Sequence, residues 1–224
     1  AKAKRGEYLG ALDPYGYLRS PEDKHKLIIN EETAPIVRRM FEMSAAGIGS
    51  KSIATTFNNE GILSPTEYTR FRKHDPEKDG EFVRRGFWTR TYVQFMLQNE
   101  IYVGSMVQGR QYTPSHRSKK REPIPKENWT VVPNMHEPIV SRELFDEAQK
   151  RMKARKKTIQ ANDEPHLFAG LFYCEACGTA MRPGVSQHKY FYYVCGRNHA
   201  IGKVACSSHY INRDTLYQVV LEDI

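Results

Sequence analysis

The stretch LFYCEACGTAMRPGVSQHKYFYYVCGRNHAIGKVAC, residues 171–206, contains every cysteine of this 224-residue chain. They are Cys174, Cys177, Cys195 and Cys206, spaced Cys-x2-Cys-x17-Cys-x10-Cys. A close pair followed by a distant pair fits the ligand spacing of a tetrahedral zinc site. A thioredoxin-like dithiol instead needs its CxxC at the start of a helix in a βαβ unit. The neighbours here read as strands, and the aromatic run KYFYYVC (residues 189–195) has strand composition. The CxxCG form puts Gly178 where backbone amides turn toward the thiolates. The reading is a zinc ribbon, in which two hairpins too small for a core are held by the metal. Structural Zn2+ is therefore the expected cofactor, on Cys174, Cys177, Cys195 and Cys206. His199 or His209 could replace Cys206, but a four-thiolate set is preferred and leaves both histidines as surface residues. A catalytic zinc would need an open position and a nearby base.

Outward from this site, the chain is basic. Its formal net charge is +8 and its sequence pI about 9.3, the range of nucleic-acid binders. Residues 84–121 hold eight basic residues and one acid (Glu100), a local net of +7. A polyanion partner is the expectation, against the blander reading of a solvated charged surface. No apolar run is long enough to span a bilayer, so no membrane role is expected. The N-terminus, AKAKRG, has neither an initiator methionine nor a signal-peptide core. The chain is thus expected to be a piece of a longer cytoplasmic protein with reduced thiols.

Apolar periodicity divides the rest. Residues 1–10 read as a basic arm carrying Lys2, Lys4 and Arg5. A helix is expected from an Asn30 cap to about Ala46, burying Ile36, Val37, Met40, Phe41 and Ser44. A second follows from Ser50 to Gly61 on Ile53, Ala54 and Phe57. Joined by Gly47-Ile48-Gly49, the pair has a helix-turn-helix character. Residues 62–87 read as a polar loop with Pro65, Pro76 and Gly80 as breakers.

A third helix is capped by Thr89, with Trp88 stapled to Val93. Val93, Met96 and Leu97 face inward, and Thr89, Arg90, Gln94 and Gln98 outward. That face has the donors needed to read base edges in a major groove, with Arg84 and Arg85 on the flanking phosphates. Residues 100–110 read as a strand or hairpin, followed by a basic loop with Lys119, Lys120 and Arg121. A helix capped by Ser141 runs from there to about Lys157, residues 158–165 form a linker, and a last helix carries Leu216, Val219, Val220 and Ile224.

The segments GALDPYGYL, LIINEETAPIVRRMFEMSAAGIGSKSIATTFNNEGILSP and FWTRTYVQFMLQNEIYVG together resemble the recombinase domain of the large serine recombinases, the phage integrases and transposon-mobilising enzymes. HEPIVSRELFDEAQKRM and HLFAGLFYCEACGTAMRPG…YFYYVC resemble the zinc-ribbon domain that follows it. The resemblance implies an α+β chain in three parts. A basic linker arm (1–10) precedes a mainly helical, helix-turn-helix-like DNA-binding domain (11–126), and a zinc-ribbon domain (127–224) with short hairpins and flanking helices follows.

It further implies double-stranded DNA as partner. The helix from Thr89 would enter the major groove of an attachment-site half-site, the arm would lie along the DNA, and the ribbon would contact an outer segment. Other recombinase subunits are implied as partners, and no small-molecule substrate. The family's catalytic serine domain is not among these segments, and a longer coiled coil would continue from the last helix. No catalytic residue is assigned, and this region by itself is not expected to be an enzyme. Its parent is expected to be a bacterial or phage-encoded recombinase that cuts and rejoins DNA. The competing reading is a zinc-ribbon DNA-binding regulator or a protein-interaction module.

Overall fold

The computed structural model describes residues 2–115, 120–154, 167–168, 170–187 and 190–222. Lys119, Ile224 and the expected linker at residues 158–165 lie outside them. The architecture is α+β, with helices and four small antiparallel sheets among the described residues. Chain contacts divide it into two units, residues 1–49 with 94–156 and residues 50–93 with 157–224.

In the first unit, one 3-10 turn at Lys2–Arg5 precedes the hairpin of β1 (Tyr17–Arg19) and β2 (Leu27–Ile29), with Tyr17 opposite Ile29. Helix α1 (Ala34–Ala45) starts later than its sequence suggests. Asn30 closes the preceding turn instead: its side chain accepts from the Glu32 amide at 3.0 Å and its carbonyl from Ala34 at 2.8 Å. Thr33 takes the cap position, and a proline in the first turn fits there because that turn's amides have no helical partner. Of the expected stripe, Val37, Met40, Phe41 and Ser44 are buried and Ile36 is only half-buried.

Phe41 packs on Tyr102 and on Phe145 of α6 (Arg142–Ala154), with ring centroids 5.8 and 5.7 Å apart. Helix α6, which the sequence reading grouped with the ribbon, thus packs on α1 in the first unit. Ser141 caps it through Oγ, which accepts from the Leu144 amide at 3.2 Å. Tyr17 is buried beneath, and its hydroxyl donates to the Glu137 carbonyl at 2.9 Å; burial pushes its pKa up. Gly16, at φ +98°, makes this packing possible, since a Cβ there would lie 2.7 Å from Ile139 Cδ1.

Between α1 and α6 the chain forms α2 (Ser50–Asn59), α3 (Pro65–Lys73), α4 (Pro76–Asp79) and α5 (Arg90–Leu97). Residues 62–87 are therefore not the loop expected. Pro65 and Pro76 start helices rather than break them, each in a first turn where a missing N–H costs nothing. Residues 100–110 also differ. Glu100–Val103 is a 3-10 turn capped by Asn99, and only β3 (Met106–Gln108) is extended. After β3 come β4 (Gln111–Tyr112), β5 (Glu122–Pro123) and β6 (Thr130–Val132). The ladders β3–β6 and β4–β5 are nested, and Lys120 and Arg121 immediately precede β5.

In the second unit, α2 buries Ile53, Ala54 and Phe57, and Phe57 meets Trp88 edge-on at 5.3 Å. The ribbon is a three-stranded sheet of β7 (Met181–Ser186), β8 (Tyr190–Cys195) and β9 (Tyr210–Asn212), in the order β7-β8-β9. An isolated bridge joins Tyr173 to Ala180, so a single bridge stands where a second hairpin was expected. Helix α7 (Gly196–Ile201) comes between β8 and β9, and α8 (Arg213–Glu222) follows β9.

Candidate metal centre and nucleic-acid interface

The sulfurs of Cys174, Cys177, Cys195 and Cys206 all lie within 4.8 Å of one another. The tight turn of residues 174–178 supplies the first two: the Gly178 amide donates to the Cys174 carbonyl at 2.8 Å, and the Cys174 amide to Thr179 at 2.9 Å. Gly178 sits at φ +65°, a conformation that favours glycine. Cys195 ends β8, where its sulfur accepts from the Asn198 amide and caps α7. Cys206 lies on the return toward β9, held as the Asn198 side chain donates to its carbonyl at 2.7 Å.

Cys174 and Cys206 sulfurs are 3.8 Å apart, and those of Cys177 and Cys195 are 3.4 Å apart. A tetrahedral site with Zn–S near 2.3 Å requires sulfur separations of about 3.8 Å, so the donor set fits. Hydrogen bonds from Thr179 draw the Cys177 thiol down to about 6, whereas burial raises Cys195 and pushes Cys206 up to about 12. The cluster ionises one sulfur readily, and a divalent cation offsets the cost of ionising the others.

His209 is not a surface bystander. Its Nδ1 lies 3.2 Å from the Cys174 sulfur and 3.7 Å from that of Cys206, and its Nε2 is 3.1 Å from Ser207 Oγ. A ring held at both nitrogens can donate to a metal-bound thiolate and fix its direction. The Cys-x2-His spacing of Cys206 and His209 was the available sequence signal.

The other candidate site is α5. Thr89 caps it, accepting from the Tyr92 amide at 3.2 Å, while Val93, Met96 and Leu97 are buried. Arg90 and Gln98 are exposed and Gln94 is half-buried. Thr91, Tyr92 and Phe95 are also exposed, and none of them carries the charge or amide that marks a base-reading side chain in a sequence.

The segment entering α5 is held by Asn58 of α2. Its buried amide accepts from the Trp88 amide at 2.8 Å and donates to the Trp88 carbonyl at 2.9 Å. Arg84 also donates to Asn58 Oδ1, at 2.9 Å, and to the Gly86 carbonyl, and lies over the Phe87 ring. Arg84 is thus committed to holding this segment, whereas Arg85 is exposed. Replacement of Asn58 by Ala removes the side-chain partner of two main-chain groups of the buried Trp88. It is expected to cost on the order of 2 kcal/mol in urea denaturation, and an unchanged midpoint would refute the clamp.

The family model described as "Recombinase" matches residues 31–155. The chain belongs to the recombinase family. The model for the recombinase zinc β-ribbon domain matches residues 167–224, in agreement with the resemblance to the large serine recombinases. "Uncharacterized protein YefB" of Bacillus subtilis (strain 168) is 31% identical over 166 residues, which are 74% of this chain and 51% of that protein. The chain thus spans about half the length of that relative.

Two solved structures overlap 99% of the chain. One, an LSR–DNA complex, is 20% identical with a TM-score of 0.43, and 60% of its own chain is covered. The other, from work on the Listeria innocua prophage attP site, is 21% identical with a TM-score of 0.41 and 82% covered. Both overlaps are loose, and no residue correspondence follows from them.

The other described basic residues expected to contact DNA fall in two places. Lys2, Lys4 and Arg5 are exposed on the first 3-10 turn, with Arg5 paired to Glu7 at 2.6 Å. Lys120 and Arg121 are exposed just before β5, next in sequence to the undescribed residues 116–119.

Proposed function

We propose that this chain binds duplex DNA sequence-specifically at the attachment half-sites of a mobile element. It belongs to a longer serine recombinase that cuts and rejoins the DNA in the cytoplasm with other subunits. The chain recognises and positions the site, and the nucleophilic serine belongs to a separate catalytic domain. What carries this reading is α5, a capped helix with one buried apolar stripe and an exposed face bearing Arg90 and Gln98. A helix so mounted can enter a major groove, where Arg pairs with guanine and Gln with adenine. Arg85, Lys2, Lys4, Lys120 and Arg121 supply phosphate contacts, and Lys119 is assigned to the same group.

Structural Zn2+ on Cys174, Cys177, Cys195 and Cys206 cross-links the ribbon, and with four thiolates the ion has no position left for substrate. His209 orients the Cys174 thiolate from outside that set.

Selection from random duplexes tests the reading. One sequence is expected to enrich, with a dissociation constant of about 10⁻⁸ M or tighter and at least about 10³-fold preference over random DNA. Arg90→Ala and Gln94→Ala are expected to relax preference at single base pairs, costing about 1–3 kcal/mol each. Arg85→Ala is expected to weaken cognate and random DNA alike and to lower the salt slope by about one. Equal losses on both DNAs for all three variants would remove α5 as the reader.

A further inference from the structure

Phe95 lies on the face of α5 opposite its buried stripe. With Val93, Met96 and Leu97 turned inward, that face carries Thr91, Phe95 and, one residue past the last helical one, Gln98, at i, i+4 and i+7; Tyr92 lies exposed beside Phe95, its hydroxyl hydrogen-bonded to Thr66 Oγ1 at 2.8 Å. Thr91, Phe95 and Gln98 are all exposed, Phe95 by 63%, whereas Gln94 is half-buried to one side. An exposed phenyl ring needs no special account on an ordinary surface. Here it stands between two hydrogen-bonding side chains on a helix that begins with an exposed arginine, Arg90, in a segment of net charge +7.

A protein-docking patch would gather apolar neighbours. This stripe alternates polar, apolar and polar groups, the pattern presented by base-pair edges. The only apolar group that base pairs offer in the major groove is the thymine C5-methyl, and phenylalanine is one of the side chains that packs on it. From Thr91 to Gln98 the helix rises about 10 Å, the length of roughly three base pairs.

We propose that Phe95 is a specificity-determining residue that packs on the C5-methyl of a thymine, between base contacts made by Thr91 and Gln98. The inference rests on the reading of the chain as a DNA-binding region and adds what it reads. It also shifts the centre of the reading face from Arg90 and Gln94, at its edge, to Thr91, Phe95 and Gln98.

The test uses the unaltered chain and its selected half-site, with each thymine replaced in turn by deoxyuridine, which lacks only the methyl group. One or two positions are expected to lose about fourfold in affinity, the value of one buried methyl group. Phe95→Ala is expected to lose a similar factor on the thymine site and to be indifferent to deoxyuridine. Phe95→Leu, still apolar, is expected to keep the sensitivity. Thermal melting checks folding, which removal of an exposed ring leaves intact.

If the unaltered chain ignores every deoxyuridine, or Phe95→Ala remains as sensitive as the parent, this inference is overturned while specific binding stands. A ring used for protein docking or as a minor-groove wedge gives that same indifference to the methyl group. Failure to enrich any sequence overturns both this inference and the reading it rests on.

Discussion

Removal of the metal with a strong chelator is expected to unfold the ribbon, with amide protection lost across β7, β8 and β9. The reason is the composition of its core. The buried cluster consists of Cys174, Met181, Tyr193, Cys195 and Cys206, so three of its five members are cysteines. Phe168, Phe172, Ile211 and Leu216 add only partly buried surface. Structural zinc contributes about 10–16 kcal/mol of apparent binding free energy in small domains, comparable with the whole stability of an ordinary one, about 5–15 kcal/mol.

Cys195→Ser is expected to have the same effect, since it removes a ligand while its hydroxyl can still cap α7. His209→Ala removes the partner of the Cys174 thiolate but none of the four proposed ligands, and is expected to weaken metal binding by about 10- to 100-fold without unfolding the ribbon. Hydrogen exchange read at β8, with α1 and α6 as internal reference, measures all three. Undiminished protection of β8 in a chelator would show that the sheet stands without a metal and would sink the proposed clamp.

Much of this was legible because local signals and tertiary packing agree. The buried stripes of α1, α2, α5 and α6 follow the apolar periodicity, and Thr89 and Ser141 cap where their sequence suggests. The four cysteines gather as their spacing implied. Where reading and structure part, the deciding interaction is distant in sequence or uses an unusual donor.

Proline is ambiguous until the next turn is known, so the sequence of α3 and α4 reads as loop. The strand β3 finds its partner β6 more than twenty residues on, and nothing local at residues 100–110 announces it. Helix α7 is short and is capped by a cysteine sulfur rather than by a hydroxyl or carboxylate, so it gave no start signal. Arg84 and Arg85 are identical as letters. One is spent on Asn58 and the Gly86 carbonyl and the other is exposed, a distinction that only packing makes.

Glu67→Ala is the substitution in the helical region with the largest expected loss of stability, about 3 kcal/mol or more. Glu67 is buried on α3, and both of its carboxylate oxygens lie 2.7 Å from Arg70 Nη1. The Arg85 amide donates to it at 2.9 Å, and the Gly86 amide also binds it. Gly86 is suited to this, since a Cβ there would come within 3.0 Å of Glu67 Cγ. One carboxylate therefore ties α3 to the segment that leads through Trp88 into α5, and its loss leaves a guanidinium and two amides without their acceptor.

The carboxyl responds to pH with a definite sign. Burial opposes its ionisation, but the Arg85 amide, the Arg70 guanidinium and the Gly86 amide outweigh burial and hold its pKa below the ordinary glutamate range. A depressed folded-state pKa contributes stability that is complete above that range and is lost as the pH falls through the lowered value. Urea denaturation of the parent chain and of Glu67→Ala is therefore expected to differ most at about pH 7 and less at an acidic pH below the ordinary glutamate range. Glu67→Gln retains one acceptor oxygen and is expected to fall between them. A gap between parent and Glu67→Ala that is the same at both pH values would mean that the carboxylate fills space without anchoring the approach to α5.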